Sequence, residues 1–287
     1  PANGVLKMFG ITSQELLSND KITIQGKRWA VDNLDYLNKP MVLLGTSTKV
    51  KKDSHIVSIS PLHLRPADEV AAQTFCNAAN SAGCKADCLA NSGRLGMTDG
   101  VAAQYKRTIL FLLRREWFEK QLLSEIDKAE RKSKRTGIKK MFRLNATSDV
   151  DWTFIIEQRP DSTFYDYTKE IARIRRNKLP NYDLTYSASM FSKQSRKGFE
   201  KAVRRGHRIA IAVNTKDTKD DALQTDVHFK GIMSFDKNDI RPYDPEGNGT
   251  LVRKGSNKAE RERENLKSNS FFVTLANLAE FNRIIRI

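Results

Sequence analysis

The residues best suited to chemistry are the chain's only three cysteines, which lie together in the segment CNAANSAGCKADCLANSGR. Cys76, Cys84 and Cys88 follow a C-x7-C-x3-C spacing. Three thiols cannot all pair with one another, so a disulfide framework does not explain them. Because thiolates are preferred ligands of zinc and of iron–sulfur clusters, the segment predicts a metal centre.

The number of thiolates distinguishes between the metals. A structural zinc site uses four protein ligands, and His63 would have to supply the fourth. A [4Fe–4S] cluster held by three cysteines keeps one iron open for a substrate or cofactor. We therefore expect a [4Fe–4S] cluster first and zinc second, with buried thiols that bind no metal as the third possibility. Gly83 and Gly93 would let the segment wrap closely around such a group.

Polar residues follow the apolar runs that predict strands. In order along the chain they are Asn145, Thr147, Ser148 and Asp149; Asp166, Tyr167, Thr168 and Lys169; Ser187 and Ser189; Asn214; and Asp236, Asp239, Arg241 and Asp244. Functional groups of parallel α/β folds gather at the carboxyl ends of the strands, so this pattern predicts a polar rim. The alternative is that these residues cap helices.

The elements that must position these residues alternate between strand and helix. MFRLN, FYDYT, LTYSAS, RIAIAVN and FKGIMSF read as strands, and helical segments separate the first four. This predicts an α/β fold, an open or complete (β/α) barrel-like parallel sheet, with a doubly wound sheet as the alternative. Residues 1–70 are predicted to be a β-rich elaboration with a hairpin at Gly26–Lys27, and 71–287 an α/β metal-binding domain, both in one compact unit. A helix is predicted from Thr98 to about Arg135, with Thr98 or Asp99 as its N-cap.

The charge of the chain points to an anionic partner. The formal net charge is +16 over 287 residues, which favours nucleic acid or nucleotide, although such a charge can also serve solubility alone. No run approaches the roughly 20 apolar residues that cross a bilayer, and no signal-peptide pattern opens the sequence, so no membrane partner is expected. The cytoplasm of a bacterial host cell is the expected location. The oligomeric state is left open.

Several motifs resemble one family. AGCKADCLANSGR, FRLNATSDVDW, FYDYTK, NYDLTYS, FDKNDIRPYDPEG and RKG occur here in the order seen in the gene product 88 family of phage and plasmid proteins. The resemblance covers about residues 76–273 and implies a phage or plasmid origin, but it supplies no reaction. It favours Asp149, Asp166 and Lys169 as catalytic residues, and Asn145, Ser148, Arg241 and Asp244, to which we add Ser187, as cofactor-binding residues.

Three hypotheses follow from these observations. The first is an iron–sulfur enzyme, with partial similarity to radical S-adenosylmethionine proteins and S-adenosylmethionine as a further cofactor, that acts on nucleic acid or nucleotide. The cysteine spacing here differs from the C-x3-C-x2-C of those proteins. The second is a non-catalytic nucleic-acid-binding protein with a structural metal, bound through the basic helix at 98–135 and the tail TLVRKGSNKAERERENLK. The third is a metal-dependent nuclease that uses Asp149, Asp166, Asp236, Asp239 and Asp244.

Overall fold

The computed structural model describes residues 21–24, 27–30, 41–46, 57–65, 75–215, 233–236, 240–244, 247–253 and 258–286. The strands are β1 (Lys21–Ile24), β2 (Lys27–Ala30), β3 (Val57–Pro61), β4 (Lys139–Arg143), β5 (Thr163–Thr168), β6 (Tyr182–Ser187), β7 (Ile209–Val213), β8 (Met233–Ser234) and β9 (Gly249–Val252). The α-helices are α1 (Thr98–Leu113), α2 (Arg115–Thr136), α3 (Thr153–Ile156), α4 (Ile171–Arg176), α5 (Lys193–Arg204), α6 (Lys258–Asn265) and α7 (Leu278–Ile285).

The main sheet has seven strands in the order β3-β4-β5-β6-β7-β9-β8. Every neighbouring pair in it is parallel, and the sheet curls into a half-barrel with helices on its outer face. The predicted α/β fold with an open, barrel-like parallel sheet is therefore confirmed. β3, which lies before residue 70, is the edge strand of this sheet, and β1 and β2 form the predicted antiparallel hairpin.

The connections explain where the cysteine segment lies. The chain between β3 and β4 holds the cysteine segment, α1 and α2, whereas α3, α4 and α5 each connect two consecutive strands from β4 to β7. Parallel strands need such crossovers, and the sequence signalled each of them by a change in hydrophobic period. The cysteine segment therefore leaves the sheet at the carboxyl end of its first strand.

Two apolar clusters cover the outer face of the sheet. One packs side chains of β4 and β5, such as Phe142 and Phe164, against α1, α2 and α3. The other packs β6 and β7 against α5 and α7, where Phe199 stacks on Phe281 at 5.7 Å between ring centroids. Because side chains alternate along a strand, the residues between these apolar positions face the concave side. Tyr165 does so and packs there with neighbours from β3 and β4.

The long helix predicted from Thr98 exists but is divided at Arg114 into α1 and α2. Its predicted N-cap is wrong. Met97 occupies the N-cap position without a side-chain hydrogen bond, because the preceding 3-10 helix over Gly93–Gly96 carries the chain directly into the first turn. In the part of the chain that the structure describes, no helix is both long enough and apolar enough to cross a membrane.

Candidate functional site

The cysteine segment crosses the carboxyl edge of the main sheet. The backbone N–H of Asp149, after β4, donates to the carbonyl of Phe75 at 2.7 Å, one residue before Cys76. The hydroxyl of Ser189, after β6, donates to the carbonyl of Ala82 at 2.7 Å. Farther along, Arg253, which follows β9, pairs with Asp87 at 2.6 Å. Residues after three separate strands therefore hold the segment in place.

Gly83 allows the turn between the first two cysteines. Its φ is +66°, in the left-handed region that other residues rarely adopt. A Cβ at this position would stand 2.3 Å from the ring of Phe191, so the ring packs directly against the backbone. The glycine therefore permits this turn, and the prediction that it lets the segment wrap around a metal cluster stays a prediction. Gly93 has a φ of +54° but no neighbour within 4 Å of such a Cβ.

The three thiols lie within electrostatic reach of one another. Burial raises the pKa of Cys76, and the charges of Asp149, Cys84 and Cys88 raise it further. Burial also raises the pKa of Cys88, and Cys84 adds to that effect. Two cations oppose these shifts: Lys169 lowers the pKa of both Cys76 and Cys88, and Arg65 lowers that of Cys88. Positive charge thus acts on Cys76 and Cys88, and Cys84 contributes to the pKa of both.

The thiols are close without being joined. No disulfide links them, and all three are partly buried. Within the described ranges, no group of three His, Cys, Asp or Glu side chains is arranged to hold a metal ion. The same finding applies to the carboxylates of the nuclease hypothesis, of which Asp239 lies outside the described residues.

Lys169 and Ser187 meet at the carboxyl ends of neighbouring strands. The register pairs Thr168 with Tyr186, so the next residue of each chain stands side by side. The ammonium of Lys169 donates to the hydroxyl of Ser187 at 2.8 Å and lies 4.4 Å from the centre of the Phe271 ring. The structure therefore brings together two predicted site residues, Lys169 and Ser187, and the backbone N–H of Lys169 also donates to a third, Asp149.

Asp149 is held in a buried ion pair. One carboxylate oxygen accepts from the guanidinium of Arg173, and both side chains are 4% exposed. The other oxygen accepts from the Thr168 hydroxyl at 3.1 Å and from the Lys169 backbone N–H at 3.0 Å. Burial raises the pKa of Asp149, and the charge of Arg173 opposes that shift. Asp149 therefore ties the loop after β4 to the end of β5 and to α4.

Asp166 is fully buried beside this ion pair. Its oxygens accept from the backbone N–H of Asn145 at 2.7 Å and from the Tyr182 hydroxyl at 3.0 Å. The Tyr182 hydroxyl also accepts from Arg173 at 3.0 Å, which connects the two acidic residues into one network. Burial raises the pKa of Asp166 from 3.8 to about 7, although the Asn145 hydrogen bond and the charges of Arg143 and Arg173 oppose the shift.

The side chains of Asn145 and Ser148 form hydrogen bonds within the loop that follows β4. The amide oxygen of Asn145 accepts from the Ser148 hydroxyl at 2.9 Å, from Val150 N–H at 2.8 Å and from the Trp152 indole at 3.1 Å. Its amide nitrogen donates to the Val150 carbonyl at 2.8 Å. The side chains of Asn145 and Ser148 therefore have partners within the loop, and their predicted cofactor-binding role stays a prediction.

Arg241 and Asp244 lie toward the other end of the strands. Arg241 is 1% exposed, pairs with Asp244 at 2.9 Å and stacks on the Phe235 ring. Its carbonyl accepts from Arg208, which directly precedes β7. The ring of Tyr243, between the two predicted residues, contacts Lys139, the first residue of β4. These contacts are at the amino ends of strands, so the structure separates this pair from the cysteine segment.

Some residues of the site carried no signal in the sequence. Arg65 lies shortly after β3, Arg173 lies inside α4, and Tyr182 is the first residue of β6. Arg173 sits in a helix rich in arginine, IARIRR, where a solvated charge is the ordinary expectation. Only its burial against Asp149 distinguishes it. His63, the proposed fourth zinc ligand, has its pKa lowered to about 4 by burial and by the charges of Arg143 and Arg107.

Comparison with known proteins identifies one family. The model of the family described as gene product 88 matches residues 37–268, which is most of the chain. The match begins before the first of the motifs that carried the resemblance, and it includes β3. The searches found no match among curated proteins and none among solved structures.

Proposed function

The chain belongs to the gene product 88 family, and from its site we propose that it is a phage or plasmid iron–sulfur protein. Cys76, Cys84 and Cys88 would hold a [4Fe–4S] cluster at the carboxyl edge of the half-barrel. The observation that carries the proposal is that Asp149, Ser189 and Arg253, which follow three separate strands, hold the segment with all three cysteines at the carboxyl edge of the sheet. A cluster bound there would supply one-electron chemistry at an iron that no cysteine occupies.

The residues present fit a cluster better than a single ion. The segment offers three thiolates, one fewer than the four protein ligands of a structural zinc site. A [4Fe–4S] cluster held by three cysteines needs no fourth protein ligand. The donor set therefore favours the cluster, and zinc is the alternative.

The buried network supports the cysteine segment in this proposal. Asp149, Arg173, Asp166 and Tyr182 are satisfied by one another, and the Asp149 backbone N–H holds the Phe75 carbonyl. We assign Asp149 and Asp166 a positioning role, since neither carboxylate faces open space. Lys169 is the group of the predicted catalytic set that stays partly exposed, and its ammonium would attract an anionic substrate and favour thiolates nearby.

The substrate class of the proposal is nucleic acid or nucleotide, because the net charge of +16 favours phosphate-bearing partners. The most specific part of the proposal is that the protein uses S-adenosylmethionine. The carboxylate of that molecule is an anion of the kind that Lys169 attracts. Reductive cleavage of added S-adenosylmethionine by the anaerobic protein, with dithionite supplied as the electron donor, is the expected result, and Lys169→Gln should lose it with the iron content unchanged.

The experiment for the metal centre is anaerobic preparation with iron and sulfide analysis. We expect a brown protein that absorbs near about 400 nm. Each of the variants Cys76→Ser, Cys84→Ser and Cys88→Ser should lose most of that absorbance. Ser92→Ala, a change on the same segment at a hydroxyl that donates to the Leu89 carbonyl at 3.3 Å, is the matched control and should keep it.

A colourless protein with stoichiometric zinc would overturn the iron–sulfur proposal. If the cysteine variants then also fail to fold, the second hypothesis replaces it: a nucleic-acid-binding protein with a structural metal. That alternative is favoured by the exposed basic residues of α2, among them Arg131, Lys132 and Arg135.

A further inference from the structure

A cleft of about 770 Å³ opens between α4 and α5, next to the cysteine segment. Asn77, Ser81 and Ala82 of the cysteine segment form one wall, and residues of α5 form another. Tyr186 and Ser187, at the end of β6, also line it. The cleft therefore shares a wall with the candidate metal centre but extends well beyond it.

Three lysines on one face of α5 dominate the charge of the cleft. Lys193, Lys197 and Lys201 follow one another at intervals of four residues, so they align along the helix with a rise of about 6 Å between them. All three are exposed. Within the portion of the chain that the structure describes, none of these ammonium groups forms a hydrogen bond or an ion pair.

The remaining charges of the cleft lie where it meets the cysteine segment. Lys169 lines the cleft and donates to Ser187, while Glu170 beside it accepts from the Asn77 side chain at 3.3 Å. Among the described lining residues there are thus four lysines and one glutamate. Lys169 lies between the lysine row and the cysteine segment, and its charge lowers the pKa of Cys76 and, after Arg65, that of Cys88.

We propose that this cleft binds the phosphate backbone of a single-stranded nucleic acid and leads that strand to the cysteine segment. A row of repeated cations matches a chain of repeated phosphates, whereas a single small anion would occupy only one of the lysines. Proteins bind single strands in positively charged grooves that follow the backbone, so we commit to a single strand over a duplex. The inference deepens the proposed function by naming the substrate class and its path.

The test measures binding and does not need a loaded metal centre, so its failure can be told apart from failure of the cluster proposal. The probe is a fluorescein-labelled DNA or RNA oligonucleotide of about 12 nucleotides, titrated by anisotropy between about 50 and 200 mM salt. The variant is the triple substitution Lys193→Gln, Lys197→Gln and Lys201→Gln. The matched control removes three exposed lysines from α2 by Lys120→Gln, Lys128→Gln and Lys134→Gln, so both variants lose the same charge.

We expect the α5 variant to bind at least about tenfold more weakly at low salt, and its plot of log K against log salt to flatten by about 2. The α2 variant should keep most of the affinity and slope. Both variants change exposed residues, and an unchanged thermal unfolding curve confirms that each is folded.

Three results would overturn the inference. The first is absence of binding by the unmodified protein at low salt. The second is an equal or larger loss in the α2 variant, which would place the contact on the other basic face. The third is equal competition by poly-glutamate of matched charge, which would show that the cleft attracts any polyanion, an acidic protein surface included, without preference for phosphates.

Discussion

Asp166 offers the sharpest test of the buried network, because its carboxyl group should titrate near neutral pH. Its pKa is raised by burial from 3.8 to about 7, in a site that also contains Arg143, Arg173 and Tyr182. The unfolded chain releases this proton near pH 4, whereas the folded protein keeps it until about pH 7. Between those values the folded state binds more protons, so the free energy of unfolding falls as the pH rises.

The size of the effect follows from the shift. One pKa unit corresponds to about 1.4 kcal/mol, so the shift of Asp166 costs the folded state about 4 kcal/mol above about pH 7 and almost nothing below about pH 4. Asp166→Asn keeps a neutral side chain of the same shape, whose amide can face the Tyr182 hydroxyl. The stability of this variant relative to the unmodified protein should therefore grow by about 4 kcal/mol from about pH 4 to about pH 8.

Urea unfolding followed by tryptophan fluorescence measures that difference across the pH range. Asp161→Asn, at an exposed carboxylate, is the control and should leave the pH profile unchanged. Parallel profiles for Asp166→Asn and the unmodified protein would refute the reasoning, because they would mean that Asp166 titrates alike in the folded and unfolded states. If the protein contains the proposed cluster, Asp166→Asn should keep its iron content at about pH 8. A loss of iron without a loss of stability would argue against the positioning role that we propose for Asp166.

Further predictions concern the ion pair, the turn and the thiols. Arg173→Met leaves the Asp149 carboxylate buried without its cation, so urea unfolding should show a loss of about 3–5 kcal/mol, of which adding Asp149→Asn restores a part. Gly83→Ala forces a left-handed residue against the Phe191 ring and should cost about 1–2 kcal/mol or more, measured by thermal unfolding; a stability equal to that of the unmodified protein would contradict the turn geometry. Lys169→Gln removes a cation that lowers the pKa of two thiols, so alkylation of Cys76 and Cys88 at about pH 8 should slow several-fold, as mass spectrometry of the metal-free protein would detect; unchanged rates would place the ammonium too far away to matter.

The network also explains why acidic residues at strand ends need not be catalytic. Asp149 and Asp166 follow or end strands of a parallel sheet, where active-site groups gather. In this fold, however, Arg173 from α4 neutralises Asp149, and backbone and tyrosine donors surround Asp166. Their hydrogen bonds fix the loop from Asn145 to Asp149, whose last residue holds the carbonyl before Cys76. The two carboxylates thus stabilise the loop that contacts the cysteine segment.

The sequence by itself determined the parallel α/β fold, most of its strands and the cysteine segment as a unit, because these features are local. It did not predict β9, whose residues stand at the start of the predicted basic tail. A change of hydrophobic period marks each crossover, and three thiols within a short segment remain neighbours in any fold. The family resemblance was equally readable, since its motifs are short and contiguous.

Only the tertiary structure decided which of the polar residues meet. The register of β5 against β6 placed Lys169 beside Ser187, and the packing of α4 brought Arg173 to Asp149. Contacts of Arg208 with Arg241 and of Lys139 with Tyr243 place Arg241 and Asp244 toward the amino ends of the strands. Contacts between residues far apart in the chain depend on strand register and on burial, and burial also sets the pKa of Cys76 and Asp166. Neither quantity is a property of a local stretch of sequence. The sequence therefore identified the polar residues of the predicted rim, but it could not predict which of them contact one another.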